Sequence, residues 1–345
     1  MNYKISVVIP LYNAEDDISN AIDSIINQTF GFENIELILV DDASTDSYKE
    51  IIEDYQKNHD NIRLIELESN SGLPGKPRSL GMDYTTAEYI VFLDSDDTYE
   101  REALELLYKA IVKTDSDFVI SSYYFNFDGD MVKANLISED NEVISFNPLD
   151  NQETFDKLSL NHLVAPWGKI FKRNLIVKNN IRFPEDSLCE DTYFYFKALL
   201  NSKKVTLLPK NYLYVYNTFE NRKTAIHGHD IKTFNDFLRG IEYTKELLGE
   251  INLSENVFLA ENIASLLLIF SNLEGPYKND AVLEIYEFEK DFDIEIPRKE
   301  IALLNSFILK KHFGLAIFIS NCYSFLYNNS SIKNIYRKFN NSKNG

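Results

Sequence analysis

The chain has 345 residues, enough for two domains or for one large domain with an appendage. Its 44% hydrophobic and 13% aromatic content excludes a disordered chain, and its net charge of −19 excludes non-specific nucleic-acid binding, which needs a cationic surface. Two cysteines, Cys189 and Cys322, make neither a disulfide framework nor a metal-binding spacing, so the expected compartment is the reducing cytoplasm and each thiol is expected to be a buried small hydrophobe.

Met1 to Lys4 are read as passing straight into a strand, so no signal peptide is expected. Ile5 to Ile9 is a β-branched run stopped by Pro10, which suits an interior parallel strand. Apolar residues at Ile18, Ala21, Ile22, Ile25 and Ile26 predict a helix within Ala14 to Asn27. Ile35 to Val40 reads as a second strand ending in Asp41-Asp42, with Ser44 or Thr45 capping a helix that runs to about Tyr55. Ile62 to Leu67 is a third strand and Tyr89 to Leu93 a fourth. This alternation predicts a mostly parallel sheet flanked by helices, with right-handed crossovers.

The fourth strand runs into Asp94-Ser95-Asp96-Asp97. Clustered carboxylates repel and cost desolvation, so they make sense where a divalent cation is held at the carboxyl end of a strand. Hard oxygen ligands select Mg²⁺ or Mn²⁺. A purely structural reading stays open, in which Asp97 or Thr98 caps a helix starting near Glu100. Before this strand, Asn70 to Arg78 holds two glycines and two prolines and reads as a shaped loop that sets Lys76 and Arg78 just ahead of a helical turn around Leu80 to Tyr84. Cations at a helix start oppose the macrodipole unless an anion sits there; the bland alternative is a solvated basic loop.

Further on, Glu102 to Val112 predicts a helix, Asp117 to Ser122 a fifth strand, and Tyr123 to Ile144 a hairpin around Asp128-Gly129-Asp130. Trp167 to Phe171 precedes a short helix. Glu190 and Asp191 open a helix running to about Leu200, where first-turn acids are also plain dipole partners. Val205–Leu207 and Tyr212–Tyr216 read as two short strands. Beyond about His227 the pattern is helical, over Ile231–Leu248, Glu255–Leu273, Ala281–Asp291 and Arg298–Lys311. The expected organisation is therefore a domain over 1–226 and a helical domain over 227–345.

From Ile301 onward there are six basic residues and no acidic one. Phe313 to Tyr327 is apolar and aromatic, but at about fifteen residues it is shorter than the roughly 20 needed to span a bilayer. Flanked by Lys310-Lys311 and Arg337-Lys338, it fits an interfacial helix at the inner face of a plasma membrane. A buried bundle helix or a homo-oligomer interface is the reading preferred over it.

Val7 to Ala14, Val40 to Asp46, Asn70 to Arg78, Asp94 to Asp97 and Glu190 to Phe194, in that order, resemble family 2 of the inverting glycosyltransferases. The resemblance covers roughly the first two-thirds of the chain and implies a GT-A fold, a Rossmann-like α/β sheet, followed by a C-terminal helical region. The Pro74 to Arg78 element looks most like the wall-teichoic-acid enzymes that attach N-acetylglucosamine to polyribitol phosphate. By that resemblance Pro10, Leu11 and Tyr12 would border the uracil of a UDP-sugar donor and Asp41 would take its polar edge. Asn70 and Arg78 would face the nucleotide, Lys76 its phosphates, and Asp94 the ribose and sugar. Asp96 would bind the metal, Asp191 would be the general base, and Glu190 would orient it or the sugar. Arg222, Lys223, His227 and His229 are candidates for a loop over the diphosphate, with His229 also a candidate metal ligand.

Direct displacement at the anomeric carbon needs a base for the acceptor hydroxyl and neutralisation of the departing diphosphate, which these residue types supply. The implied acceptor is a polyol-phosphate polymer or, alternatively, a capsular or other surface polysaccharide. A nucleotidyltransferase would leave Glu190-Asp191 unexplained. A non-enzymatic carbohydrate-binding scaffold would not need every acid that the mechanism requires.

Overall fold

The computed structural model describes residues 3–134, 142–159, 163–218, 230–249, 254, 256–292, 296 and 299–328. The chain forms two compact units, one of residues 1–222 with 243–254 and the other of residues 223–242 with 255–345.

The first unit begins with β1 (Ile5–Leu11), α1 (Ile18–Ile26), β2 (Ile35–Asp41), α2 (Tyr48–Gln56), β3 (Ile62–Glu66), α3 (Gly75–Asp83) and β4 (Tyr89–Phe92). Every residue of β1, β2 and β4 is buried, as expected for strands covered on both faces. Strands β3, β2, β1 and β4 pair in parallel in that order. Pro10 lies beyond the last β1–β4 pair, Val8 with Phe92, near the strand end where a missing N–H is tolerated.

Then follow β5 (Thr98–Tyr99), α4 (Ala103–Thr114), β6 (Phe118–Phe127), β7 (Asp130–Ala134), β8 (Ile144–Phe146), α5 (Gln152–Leu158), β9 (Lys169–Lys172), α6 (Arg173–Lys178), α7 (Glu190–Leu200) and β10 (Val205–Thr218). The strand order continues β9-β6-β10-β5, with β7 on β6 and β8 on β10. The sheet is mixed: β9 is antiparallel to both β4 and β6, while β10 runs parallel to β6.

Several local expectations change. Val205–Leu207 and Tyr212–Tyr216 are one strand with register shifts near Tyr212, because both halves pair with β6. Neither Ser44 nor Thr45 caps α2, which starts after Ser47. Instead Ser44 Oγ accepts from Asn13 N at 2.8 Å and Thr45 N donates to Asn13 Oδ1 at 2.9 Å, tying the loops after β1 and β2 together. Residues 75–83 are helix rather than loop, since Pro77 falls in the first turn, where no N–H is needed. The hairpin at Asp128-Gly129 forms as expected between β6 and β7; its continuation through 135–141 lies outside the described residues.

The second unit is helical, as expected. It comprises the start of α8 (Ile231–Leu248), then α9 (Asn256–Asn272), α10 (Lys278–Glu289), α11 (Lys299–Leu309) and α12 (Phe313–Asn328). Lys278 is buried in it, and its Nζ donates to Ser271 O at 2.9 Å, Ser320 Oγ at 3.0 Å and Asn321 Oδ1 at 2.7 Å, joining α9, α10 and α12. Ala316 and Ser320 of α12 are buried and Phe318 is exposed, so the helix presents one face to the bundle. Among the described residues no helix is long and apolar enough to cross a membrane. Arg337, Lys338 and the side chain of Cys322 lie outside the described residues; Cys189 is buried.

Candidate active site

Helix α3 is seated by its glycines. A Cβ on Gly75 would stand 2.1 Å from Pro184 O, and one on Gly81 would stand 2.4 Å from Val8 Cγ1. Only hydrogen at these positions lets the helix lie against β1 and against the segment leading to α7. That seating buries Arg78. Its Nη1 donates to Glu190 Oε1 at 2.6 Å and its Nη2 to Asp94 Oδ1 at 2.7 Å, while the guanidinium lies 5.6 Å from the Phe183 ring centroid. Burial works against the Arg78 charge, but Asp94 and Glu190 more than offset it and hold the group protonated. The anions at this helix start are thus the chain's own carboxylates, and Arg78 sits within the first turn rather than ahead of it.

The acid turn is pinned by β10. Tyr214 Oη donates to Asp97 Oδ2 at 2.6 Å and accepts from Asp94 N at 3.3 Å. Asn217 N donates to Asp97 Oδ1 and Asn217 Nδ2 to Asp96 O, both at 2.7 Å. Trp167 stacks on the Tyr214 ring at 4.4 Å and 7°. Asp97 caps no helix: it is buried against β10, and burial together with Asp96 and Asp94 pushes its carboxyl well above the usual range. The cluster therefore divides its labour. Asp94 faces Arg78, Asp97 anchors the turn, and Asp96 sits half-buried between them.

Phe183 stacks on Phe194 at 4.0 Å and 2°, which fixes the start of α7 beside Arg78. Glu190 is buried. Burial and the neighbouring Asp191 raise its carboxyl to about 8, against the pull of Arg78. Asp191 accepts from Thr192 N at 2.7 Å and Thr192 Oγ1 at 3.3 Å. Burial raises the Asp191 carboxyl, and Arg78 and the Thr192 bonds only partly oppose the rise.

Lys169 of β9 was missed by the sequence reading. It is buried, its Nζ donates to Ala165 O and Trp167 O, and it lies 5.6 Å from the Tyr195 ring centroid. Burial lowers its ammonium to about 7, opposed by the charge of Asp191. A lysine opening the apolar run Lys169-Ile170-Phe171 was the available signal. Tyr214 and Asn217 carried none in a chain with 21 tyrosines.

The remaining expected residues line the ends of β1 and β2. Pro10 and Leu11 are buried and Tyr12 is 52% exposed. Asp41 is buried and accepts from Ser44 N at 3.1 Å; Asp42 accepts from Ser71 N and Oγ, and Asn70 Nδ2 donates to Asp42 O at 3.0 Å. Lys76 is half-buried in the first turn of α3. Arg222, Lys223, His227 and His229 lie outside the described residues. Among the described residues no three His, Cys, Asp or Glu side chains converge to hold a metal ion by themselves.

Residues 6–176 match the family model described as glycosyl transferase family 2. This stretch is a glycosyl transferase family 2 domain. The chain is 37% identical over 214 residues to the poly(ribitol-phosphate) beta-glucosyltransferase of Bacillus spizizenii, a match covering 62% of this chain and 32% of that one. It is 34% identical over 220 residues to the poly(ribitol-phosphate) beta-N-acetylglucosaminyltransferase TarP of Staphylococcus aureus, covering 63% and 64%. It thus spans less than two thirds of either relative. Among solved structures it resembles S. aureus TarS 1–349 in complex with UDP, with TM-score 0.68, 23% identity, and coverage of 93% of this chain and 91% of that one. The GT-A-like fold expected from the sequence, with its C-terminal helices, is the fold of this chain.

Proposed function

We propose that the protein is an inverting glycosyltransferase that moves a sugar, N-acetylglucosamine as first choice, from a UDP-sugar to a polyol-phosphate polymer of the polyribitol phosphate kind. The observation that carries this reading is the convergence of Asp94 and Glu190 on Arg78 with Asp191 beside them. The named activities of the B. spizizenii and S. aureus relatives support the acceptor, and the UDP bound to TarS supports the donor.

In this mechanism Asp191 takes the proton of the acceptor hydroxyl. The acceptor oxygen bonds to the anomeric carbon as the bond to the diphosphate breaks on the opposite face, and UDP leaves. A carboxyl raised by burial suits this work, because a base near the working pH holds the proton it takes. Arg78 keeps Asp94 and Glu190 oriented toward the donor. Tyr12, Asp41 and Asn70 border the nucleotide, with Lys76 near its phosphates. A Mg²⁺ or Mn²⁺ ion, when bound, neutralises the diphosphate. Asp96 would hold it, and its hard, half-buried carboxylate fits such an ion, which is commonly bound by one or two carboxylates plus phosphate oxygens.

The test is UDP release from UDP-N-acetylglucosamine and UDP-glucose with poly(ribitol phosphate) as acceptor. Asp191→Asn is expected to keep donor binding and to lose transfer by about a hundredfold or more. Unchanged transfer in that variant would remove Asp191 from the role of base. Asp96→Asn is expected to weaken metal-dependent donor binding, and an unchanged metal dependence would remove Asp96 from its own.

A further inference from the structure

A cleft of about 500 Å³ opens behind the acid turn. Its walls carry Asn20, Asp23 and Asn27 from α1 and its C-cap, Arg101 just past β5, Asn126 on β6 and Asn217 on β10, over a floor that includes buried Val215. The depression is open to solvent and has room for a small polar unit. Four carboxamides in one concavity offer donors and acceptors side by side. An apolar ligand would leave those groups unpaired and a bare ion would use one sign only, whereas a polyhydroxyl chain uses both.

The partners already present leave capacity for a ligand. Asn126 Nδ2 donates to Asn217 Oδ1 at 2.8 Å and Asn27 Nδ2 to Asp23 O at 2.8 Å, each spending one of two amide hydrogens. Asn20 is exposed and Arg101 makes no ion pair among the described residues. Asn217 joins the cleft to the chemistry, since its side chain donates to Asp96 O and its backbone N–H to Asp97. A ligand seated here would press on the residue that holds the acid turn.

We propose that this cleft is an acceptor subsite that takes one polyol unit of the acceptor polymer, with Arg101 at its rim meeting the adjoining phosphodiester. The proposal rests on the polyol-phosphate acceptor of the preceding section. Its site is separate from Arg78, Asp191 and the nucleotide-facing loops, so the two readings can fail separately.

The test uses the full chain, poly(ribitol phosphate) as the probe, and two variants. Asn20→Trp fills the cleft from an exposed helix position, and Arg101→Ala removes the rim cation. In asparagine-labelled wild-type protein, the side-chain amide signals of Asn20, Asn27, Asn126 and Asn217 are expected to move on titration with the polymer. In each variant the KM for polymer is expected to rise about tenfold while the KM for the donor stays within about twofold. Transfer to the polymer with unmoved amide signals, or with wild-type KM in both variants, overturns the cleft and spares the enzymatic reading. Moved signals without transfer keep the cleft and overturn that reading, and the absence of both overturns both.

Discussion

Arg78 Nη1 and Glu190 Oε1 lie 2.6 Å apart although 112 positions separate the two residues in the chain. With Asp94 on its other amino group, Arg78 draws the α3 start, the β4 acid turn and the α7 start into one charged assembly. Such an assembly is costly to desolvate and costlier to break, because removing one partner strands the others' charges in the interior.

Arg78→Met is therefore expected to destabilise the protein by about 3–5 kcal/mol, read as a lower urea midpoint. Adding Asp94→Asn should restore part of the loss, since a neutral amide has no charge to strand. A double variant no more stable than the single would count against the ion-pair account.

Gly75→Ala is expected to cost about 1–3 kcal/mol and to lower transfer, because its methyl meets the Pro184 carbonyl and pushes the segment leading to Glu190. Gly314→Ala, where nothing lies within 4 Å of the added carbon, is the control and should be neutral or stabilising. Thermal unfolding of the two variants side by side decides the point.

The pH dependence of transfer should carry the mark of Asp191. Only its ionised form accepts a proton, so the rate falls as pH drops through its pKa, and burial sets that fall above the range of an exposed carboxylate. Lys169 and Asp191 favour each other's charged forms. Lys169→Met removes the positive charge, so the acidic limb of kcat should move to higher pH. An unmoved limb would show that Lys169 serves packing alone.

Glu289 of α10 gives a stability test far from the chemistry in sequence. Burial raises its carboxyl to about 8, only partly opposed by Asn305, and its Oε1 is buried without a hydrogen-bond partner. A folded-state pKa above the unfolded one favours folding at low pH. That benefit is complete below the unfolded value of about 4.5 and is lost as pH rises through about 8. Glu289→Gln should accordingly match the wild type near pH 4 and exceed it by several kcal/mol at pH 8.5. Urea midpoints at the two pH values measure it, and a constant difference between them would refute the titration.

The elements with a strong local signal were legible from the residues. Strands β1, β2 and β4, buried on both faces, show as mostly apolar runs, and the helices of the second unit show as three-to-four spacing. The acids after β4 and at the start of α7 stood out because like charges rarely cluster without a partner or a ligand. Less legible were β9, read only as a lead-in to a short helix, and β10, read as two pieces. A strand's place in a sheet depends on its neighbours, and Trp167 to Phe171 contains nothing that names β4 and β6 as its partners.

Within the site, residue types pointed to Asp94, Asp96, Glu190 and Asp191, but not to their separate duties. Asp94 and Asp97 are both acids of one short turn, yet one meets a guanidinium and the other is locked to Tyr214 and Asn217.

The order of residues alone determined the α/β class, the position of the acid turn and the change to an all-helical pattern after about residue 227, because each is written in spacings of a few residues. Tertiary structure decided which acid Arg78 would pair with, that Asp191 would be raised by burial, and that Lys169 would lie within its electrostatic reach. Those outcomes depend on groups scores of positions apart meeting in a low-dielectric interior, where the strength of a charge is set by what surrounds it.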